Sequence, residues 1–389
     1  MIDYDCLLSH SILQIKPSAI RRFFDILAEM NDAISLGIGE PDFVTPFHIR
    51  NEGIRSLERG YTKYSANAGM SELRREISRY LARRFDLHYD PTTELFVTVG
   101  GSEAIDAAIR ALVNPGDEVI VPEPTFVCYS PLVSLAHGVP VALETKEEDE
   151  FRVTPQALEK LITPKTKILV LPYPNNPTGA VMEREHLEGI AELLRDKNIM
   201  VLSDEIYAEL TYTGKRHCSI ATLEGMRERT IVVNGFSKSH AMTGWRLGYV
   251  CGPQPVISQM AKIHQYAIMC APTTSQYAGI EAMRNGDADT ETMRESYNQR
   301  RRLLVDGLRK CGLECFEPRG AFYAFPSIKS TGMSSEEFCE KFLLEEKVAV
   351  IPGSAFGNSG EGFVRCCYAT AEEDLREALI RLERFLKNI

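Results

Sequence analysis

The stretch Asn234-Gly-Phe-Ser-Lys-Ser-His-Ala-Met-Thr-Gly-Trp-Arg-Leu-Gly-Tyr249 sets one lysine and one arginine eight positions apart, with Gly235, Gly244 and Gly248 around them. An apolar run at 230–233 precedes it and reads as a buried strand; 246–251 reads as a second. The link between them is too short for a parallel crossover, so one of the pair is expected to run antiparallel. A lysine at the mouth of a parallel sheet is open to partial desolvation, which lowers its pKa and frees its amine as a nucleophile. The arginine offers a fixed fork for a phosphate. The competing reading is a surface turn with two solvated cations, and the rest of the chain decides between them.

Outward from that stretch, strands are expected at 95–99, 118–121, 140–143, 167–171 and 198–202, with helical segments between them. Such alternation implies an α/β domain built on a largely parallel sheet. Helices are expected at 17–30, 47–59 and 71–85, as one long segment over 255–285, and at 291–310. A second, smaller α+β lobe follows, with strands at 321–325, 348–351 and 363–368 and helices at 334–346 and 372–387. The run Ile34-Ser-Leu-Gly-Ile-Gly-Glu-Pro-Asp42 reads as a short strand entering a glycine turn; it lacks the G-x-G-x-x-G of a dinucleotide loop. The resulting organisation is an irregular arm at 1–16, a small domain from 17–46 with 287–389, and a large domain at 47–286.

The 389 residues, 44% hydrophobic and 25% charged, fit a soluble globular enzyme of two lobes. A formal net charge of -10 argues against nucleic acid as the main partner, because phosphate contacts need a basic face. The densest basic run, Arg300-Arg301-Arg302, reads as a solvated helix face. No secretory signal and no bilayer-length apolar run is visible, so no membrane partner is expected. Ten cysteines without a C-x-x-C pair point to a reducing, cytoplasmic setting, and no metal site is read.

Ligands of open α/β sheets sit at the carboxyl ends of the strands. Leu95-Phe-Val-Thr-Val-Gly-Gly-Ser-Glu103 ends a strand in Gly100-Gly101, and Ser102 opens a helix. Free N–H groups and the helix dipole form a phosphate cradle there, or Ser102 is an ordinary cap. Phe126 lies just past a strand end, placed to stack on a flat heteroaromatic or to serve as a core ring. Pro172-Tyr-Pro-Asn-Asn-Pro-Thr-Gly179 is a rigid loop from which Asn176 can donate one defined hydrogen bond. Asp204 follows an apolar strand, where an unpaired carboxylate is costly. Beside a pyridine nitrogen it would keep the ring protonated and electron-poor, with Tyr207 aimed at the ring oxygen; otherwise it is an ion pair or a cap. Arg365, inside an apolar strand, is a candidate clamp for a substrate carboxylate or one half of an ion pair. A lysine and an arginine among these groups suggest a Schiff-base Lys238 beside the phosphate of a pyridoxal cofactor.

The order Gly39, Tyr64, Gly-Gly-Ser102, Phe126, Asn-Pro-Thr-Gly179, Asp204-x-x-Tyr207, Ser-Lys238, Arg246 and Arg365 resembles the class I/II pyridoxal-phosphate aminotransferases of the aspartate aminotransferase superfamily. The resemblance implies the fold-type-I architecture: a mixed, mostly parallel seven-stranded sheet with helices on both faces, plus the smaller domain. It implies pyridoxal 5′-phosphate bound covalently to Lys238, with Asp204 on the pyridine nitrogen, Asn176 and Tyr207 on the ring oxygen and Phe126 stacked on the ring. Gly101, Ser102, Ser237 and Arg246 hold the phosphate, joined by Tyr64 from the neighbouring subunit of a homodimer with shared sites. Gly39, Asn176 and Arg365 take the substrate. The chain departs from the pattern at Gly235, where many relatives carry a serine that reaches the phosphate. The implied reaction moves an amino group between an L-amino acid and a 2-oxo acid by a ping-pong route. Resemblance is closest to the bacterial branch of aromatic and N-acetyl-diaminopimelate aminotransferases, and no second arginine is marked for a side-chain carboxylate. A carbon–sulfur β-lyase on the same scaffold is the alternative. A cofactor-binding regulator is the third reading, and the short arm before residue 17 counts against it.

Overall fold

The longest apolar runs become the central strands. Thr166–Leu171 (β5), Met200–Asp204 (β6) and Thr230–Gly235 (β7) are buried along nearly their whole length, as parallel strands covered on both faces must be. Together with Leu95–Thr98 (β2), Glu118–Glu123 (β3), Val139–Glu144 (β4) and Gly248–Cys251 (β8) they form one seven-stranded sheet of order β2-β8-β7-β6-β5-β3-β4. β8 runs antiparallel to both its neighbours and the other pairings are parallel, as the short link after β7 required. Side chains alternate across the sheet with period two. Phe96, Val119, Ile168 and Val170 pack under Ala104, Ile105 and Ile109 of the helix Gly100–Leu112. Val97, Val232 and Tyr249 face Leu73, Ile77 and Leu81 of the helix Ser71–Phe85 on the other side. Ile120, Leu169 and Val201 join a third cluster that continues without a break into Phe322, Phe325, Val350 and Phe363 of the smaller lobe.

A computed structural model describes residues 2–4, 6–15 and 32–389; the helix expected over 17–30 lies outside them. The smaller lobe holds a parallel pair, Ile34–Ser35 (β1) with Val348–Ala349 (β10). It also holds an antiparallel sheet of order β11-β12-β9, from Ile351–Pro352, Val364–Cys367 and Tyr323–Ala324. No described helix is long and apolar enough to cross a membrane.

Several expectations need correction. The segment 255–285 is two helices, Gln254–Ala267 and Thr273–Asn285. Pro272 cannot continue a helix and disfavours helical geometry at Ala271, while Met269 adopts a left-handed φ of 76°. Of the basic run only Arg302 is exposed to solvent. Arg301 is buried and donates to Asn298 Oδ1 at 3.2 Å, and Arg300 pairs with Asp42 at 2.7 Å. The arm contains one helical turn, His10–Leu13. β6 begins two residues later than expected, which makes Asp204 the last residue of the strand.

Gly248 shows why a glycine stands in β8. A Cβ there would lie 2.7 Å from the carbonyl carbon of Gly100, where β2 turns into its helix. Gly248→Ala is therefore expected to lower the unfolding free energy by about 1–3 kcal/mol in chemical denaturation; an unchanged midpoint would show that this turn yields freely.

Candidate active site

The carboxyl ends of the parallel strands open onto a cleft of about 580 Å³, a size typical of small-molecule sites. It is lined by Lys238, Asp204, Tyr207, Gly101, Ser102, Phe126, Asn176, Ser237, Arg246, Gly39 and Arg365, so eleven of the twelve residues expected from the sequence converge. Tyr64 is the exception: it is 81% exposed and lies outside the cleft of its own chain.

Lys238 sits three residues past β7. Its neighbours Phe236 and His240 are fully buried, and Thr290 donates its hydroxyl to the Ser239 carbonyl at 2.8 Å, which clamps the backbone on both sides. The amine donates to the Gly39 carbonyl at 2.7 Å. Burial lowers its pKa to about 8, with the Glu40 carboxylate opposing only in part. A substantial share of the amine is therefore neutral near physiological pH.

Asp204, at the end of the adjacent strand β6, accepts from the Tyr129 hydroxyl at 2.7 Å and from the Ile206 N–H at 3.1 Å. Those two bonds do not offset its burial, which pushes the carboxyl up to about 6. Tyr207 shares a 2.8 Å hydrogen bond with the hydroxyl of Tyr323.

One end of the cleft is built for an anion. The helix Gly100–Leu112 starts directly after β2, so the unpaired N–H groups of its first turn and its positive dipole end face the opening. Arg246, at a left-handed φ of 50°, brings its guanidinium so close that a Cβ on Gly100 would sit 2.7 Å from Nη2. Gly235 ends β7 against Gly248 of β8. A Cβ there would meet the Gly248 Cα at 3.0 Å and the Leu247 carbonyl at 3.1 Å, so β8 would have to give way to a serine.

At the opposite end Arg365 is 3% exposed. It donates to Asn176 Oδ1 at 3.0 Å and to the Gly37 carbonyl at 2.6 Å, while its Nε has no partner. Asn176 is thus an acceptor towards Arg365, a contact the sequence did not indicate. Phe126 is 36% exposed at the cleft wall and meets Tyr129 edge-on at 6.5 Å.

Among the cleft residues that escaped the sequence reading are Tyr129 and Tyr323. Tyr129 lies three residues after Phe126, and the only signal towards it was the need of the Asp204 carboxylate for a donor. Tyr323 lay in an expected strand, and nothing local marked it.

Comparison with known proteins fits this geometry. The family described as aminotransferase class I and II matches residues 31–382. A Bacillus subtilis (strain 168) protein named as an aminotransferase, YugH, is 57% identical over 97% of this chain and 98% of its own. An aspartate aminotransferase of Pyrococcus abyssi is 48% identical over 96% of each chain. The crystal structure of an aromatic aminotransferase from Pyrococcus horikoshii superposes with a TM-score of 0.90 at 46% identity, over 94% of this chain and 99% of that one.

Raising Asp204 from the ordinary 3.8 to about 6 costs the cofactor-free fold about 3 kcal/mol at neutral pH. The folded state binds the extra proton between those values, so this contribution is favourable at low pH and is lost as pH rises through 6. Cofactor-free Asp204→Asn is accordingly expected to resist denaturant better than the parent at pH 7–8, with the advantage vanishing towards pH 4. An advantage equal at both ends of that range would contradict the assignment.

Proposed function

The chain belongs to the class I and II aminotransferases and is an enzyme of that family; from that premise we propose that its cleft holds pyridoxal 5′-phosphate on Lys238, above Asp204. The residues present suit such a group. A partly buried amine, a buried carboxyl with lone pairs to spare, and a helix N-terminus beside an arginine match an aldehyde, a pyridine nitrogen and a phosphate. The carrying observation is the first pair: Lys238 lowered to about 8 and Asp204 raised to about 6, on adjacent strands of one cleft. When bound, the cofactor supplies an electron sink for the negative charge that forms at the substrate α-carbon.

Each side chain then has a defined task. Lys238 would hold the cofactor through its amine and, when free of it, would be the group that takes up and returns a proton at the substrate α-carbon. Asp204 keeps a proton on the pyridine nitrogen, and Tyr129 keeps Asp204 aimed. Asn176 and Tyr207 would hold the ring oxygen, and Phe126 would cover the ring. Ser102, Ser237, Gly101 and Arg246 would hold the phosphate at the N-terminus of the helix Gly100–Leu112, without the hydroxyl that Gly235 lacks. Arg365 is a buried cation whose described contacts are an amide and a carbonyl rather than a carboxylate, and it takes the substrate α-carboxylate beside Gly39.

The amino donor belongs to the same reading. Beyond Lys238, Arg246 and Arg365, no cation among the described residues lines the cleft, and Glu40 adds a carboxylate to its wall. A donor with an uncharged side chain, aromatic or acylated, suits these walls better than aspartate does. The same reading divides the described chain into a large unit at 47–286, which carries all seven strands of the main sheet, and a small unit at 32–46 with 287–389. The ten unpaired thiols suit a cytoplasmic setting. Exposed Tyr64 supports a homodimer in which each copy completes the other's phosphate site.

Three experiments test this. With one amino acid and no acceptor, the enzyme is expected to form 2-oxo acid up to the number of its sites and then stop. Continued release of pyruvate and ammonia would mark a β-lyase instead, and a panel of donors read this way identifies the substrate. Lys238→Ala is expected to abolish turnover and the borohydride-fixable covalent link to the cofactor while leaving the circular dichroism intact; retained turnover would remove the lysine from its role. Mixing the Lys238→Ala and Tyr64→Ala chains, each poorly active alone, is expected to restore activity through hybrids carrying one intact site. No recovery would assign Tyr64 elsewhere.

A further inference from the structure

Tyr323 is the most connected side chain of the cleft that the roles above leave unassigned. It is 1% exposed, on β9, and points out of the smaller lobe towards the main sheet. Its hydroxyl is 2.8 Å from that of Tyr207, which stands on the far side of the cleft just past β6. Its ring lies under the Arg365 guanidinium, with Cζ 4.5 Å from the centroid. Its hydroxyl also abuts Gly39, where an added Cβ would come within 2.4 Å of it, and the Gly39 carbonyl is the one that receives the Lys238 amine. Three groups of the site therefore rest against one phenol.

We propose that Tyr323 is a positioning residue whose hydroxyl donates to Tyr207 and whose ring seats Arg365, so that it links the cofactor side of the cleft to the substrate-carboxylate side. The inference rests on Tyr207 facing the cofactor's ring oxygen, as set out above. The direction of the bond follows from counting protons. A phenol has one proton to give and can still accept. If Tyr207 gives its proton to the ring oxygen, it must accept from Tyr323, and Tyr323 must be protonated to supply that bond. Burial raises the pKa of both phenols, which keeps both protons in place. The same ring offers its face to Arg365, with Cζ 4.5 Å from the centroid, a cation–π contact that holds the guanidinium without using any of its N–H groups.

The test separates the hydroxyl from the ring. The readout for the hydroxyl is the pH midpoint of the holoenzyme's absorbance change, which reports how well the deprotonated chromophore is stabilised. Tyr323→Phe keeps the ring and is expected to raise that midpoint by roughly half to one unit, the worth of one neutral hydrogen bond, with the donor KM nearly unchanged. Tyr207→Phe is expected to raise it too, and adding Tyr323→Phe to that background should give no further shift. Equal shifts in both backgrounds, or none from Tyr323→Phe where Tyr207→Phe does shift, overturn the link. If Tyr207→Phe itself moves nothing, the place given to Tyr207 fails first, and the inference falls with it. For the ring, Tyr323→Leu is expected to raise the donor KM about three-fold or more over Tyr323→Phe at the same absorbance midpoint. A KM equal to that of Tyr323→Phe overturns the seating of Arg365.

Discussion

Three ionisable groups gathered in one cleft without matching counter-charges set the terms for this molecule. Burying a charge is costly unless it is paired, and elsewhere the chain obeys that rule. Glu209 pairs with Arg84, and Arg301 with Glu317. In the cleft the rule is relaxed. Lys238 has a carbonyl, Asp204 a phenol and one N–H, and Arg365 an idle Nε. The sheet holds Asp204 at the end of β6 and Lys238 three residues past the end of the adjacent parallel strand β7. The clustering of under-partnered charges is what turns a fold into a site.

The surrounding architecture brings these groups close. Gly248 lets β8 pass against the start of the phosphate-facing helix, and Gly39 makes room for the Tyr323 hydroxyl. A cluster of apolar side chains runs from the main sheet into the smaller lobe, so the strand that bears Arg365 is packed into the same core as the strand that bears Asp204. The two ends of a small substrate can thus be addressed by residues far apart in sequence but held on one interior.

Much of this was legible in the sequence because it was local. Continuous apolar runs gave the central strands, and polar residues at the ends of those runs gave Asp204, Asn176 and Lys238. What escaped depended on partners distant along the chain. Tyr129 bonds Asp204 across 75 positions, and Tyr323 bonds Tyr207 across 116. Arg301 looked solvated because a helix pattern does not show which neighbour will cover it; Glu317 and the Pro318 carbonyl do. The break in the 255–285 segment was visible in principle as Pro272, but the apolar periodicity on either side hid it.

That break reaches further than its position suggests. The short stretch between the helices Gln254–Ala267 and Thr273–Asn285 fastens the loop bearing Tyr64: Asn67 donates to the Met269 carbonyl at 2.6 Å, and Thr273 donates to the Lys63 carbonyl at 2.7 Å. Tyr61 stacks on Tyr277 at 5.2 Å, completing the fastening and leaving Tyr64 turned outward. An uninterrupted helix would offer no such free carbonyl, so a proline remote from any reacting atom governs whether an aromatic arm is presented to another molecule. On the proposed reading, catalysis in this enzyme obeys mass action among its own copies, and how abundant the protein is in the cell becomes part of its chemistry.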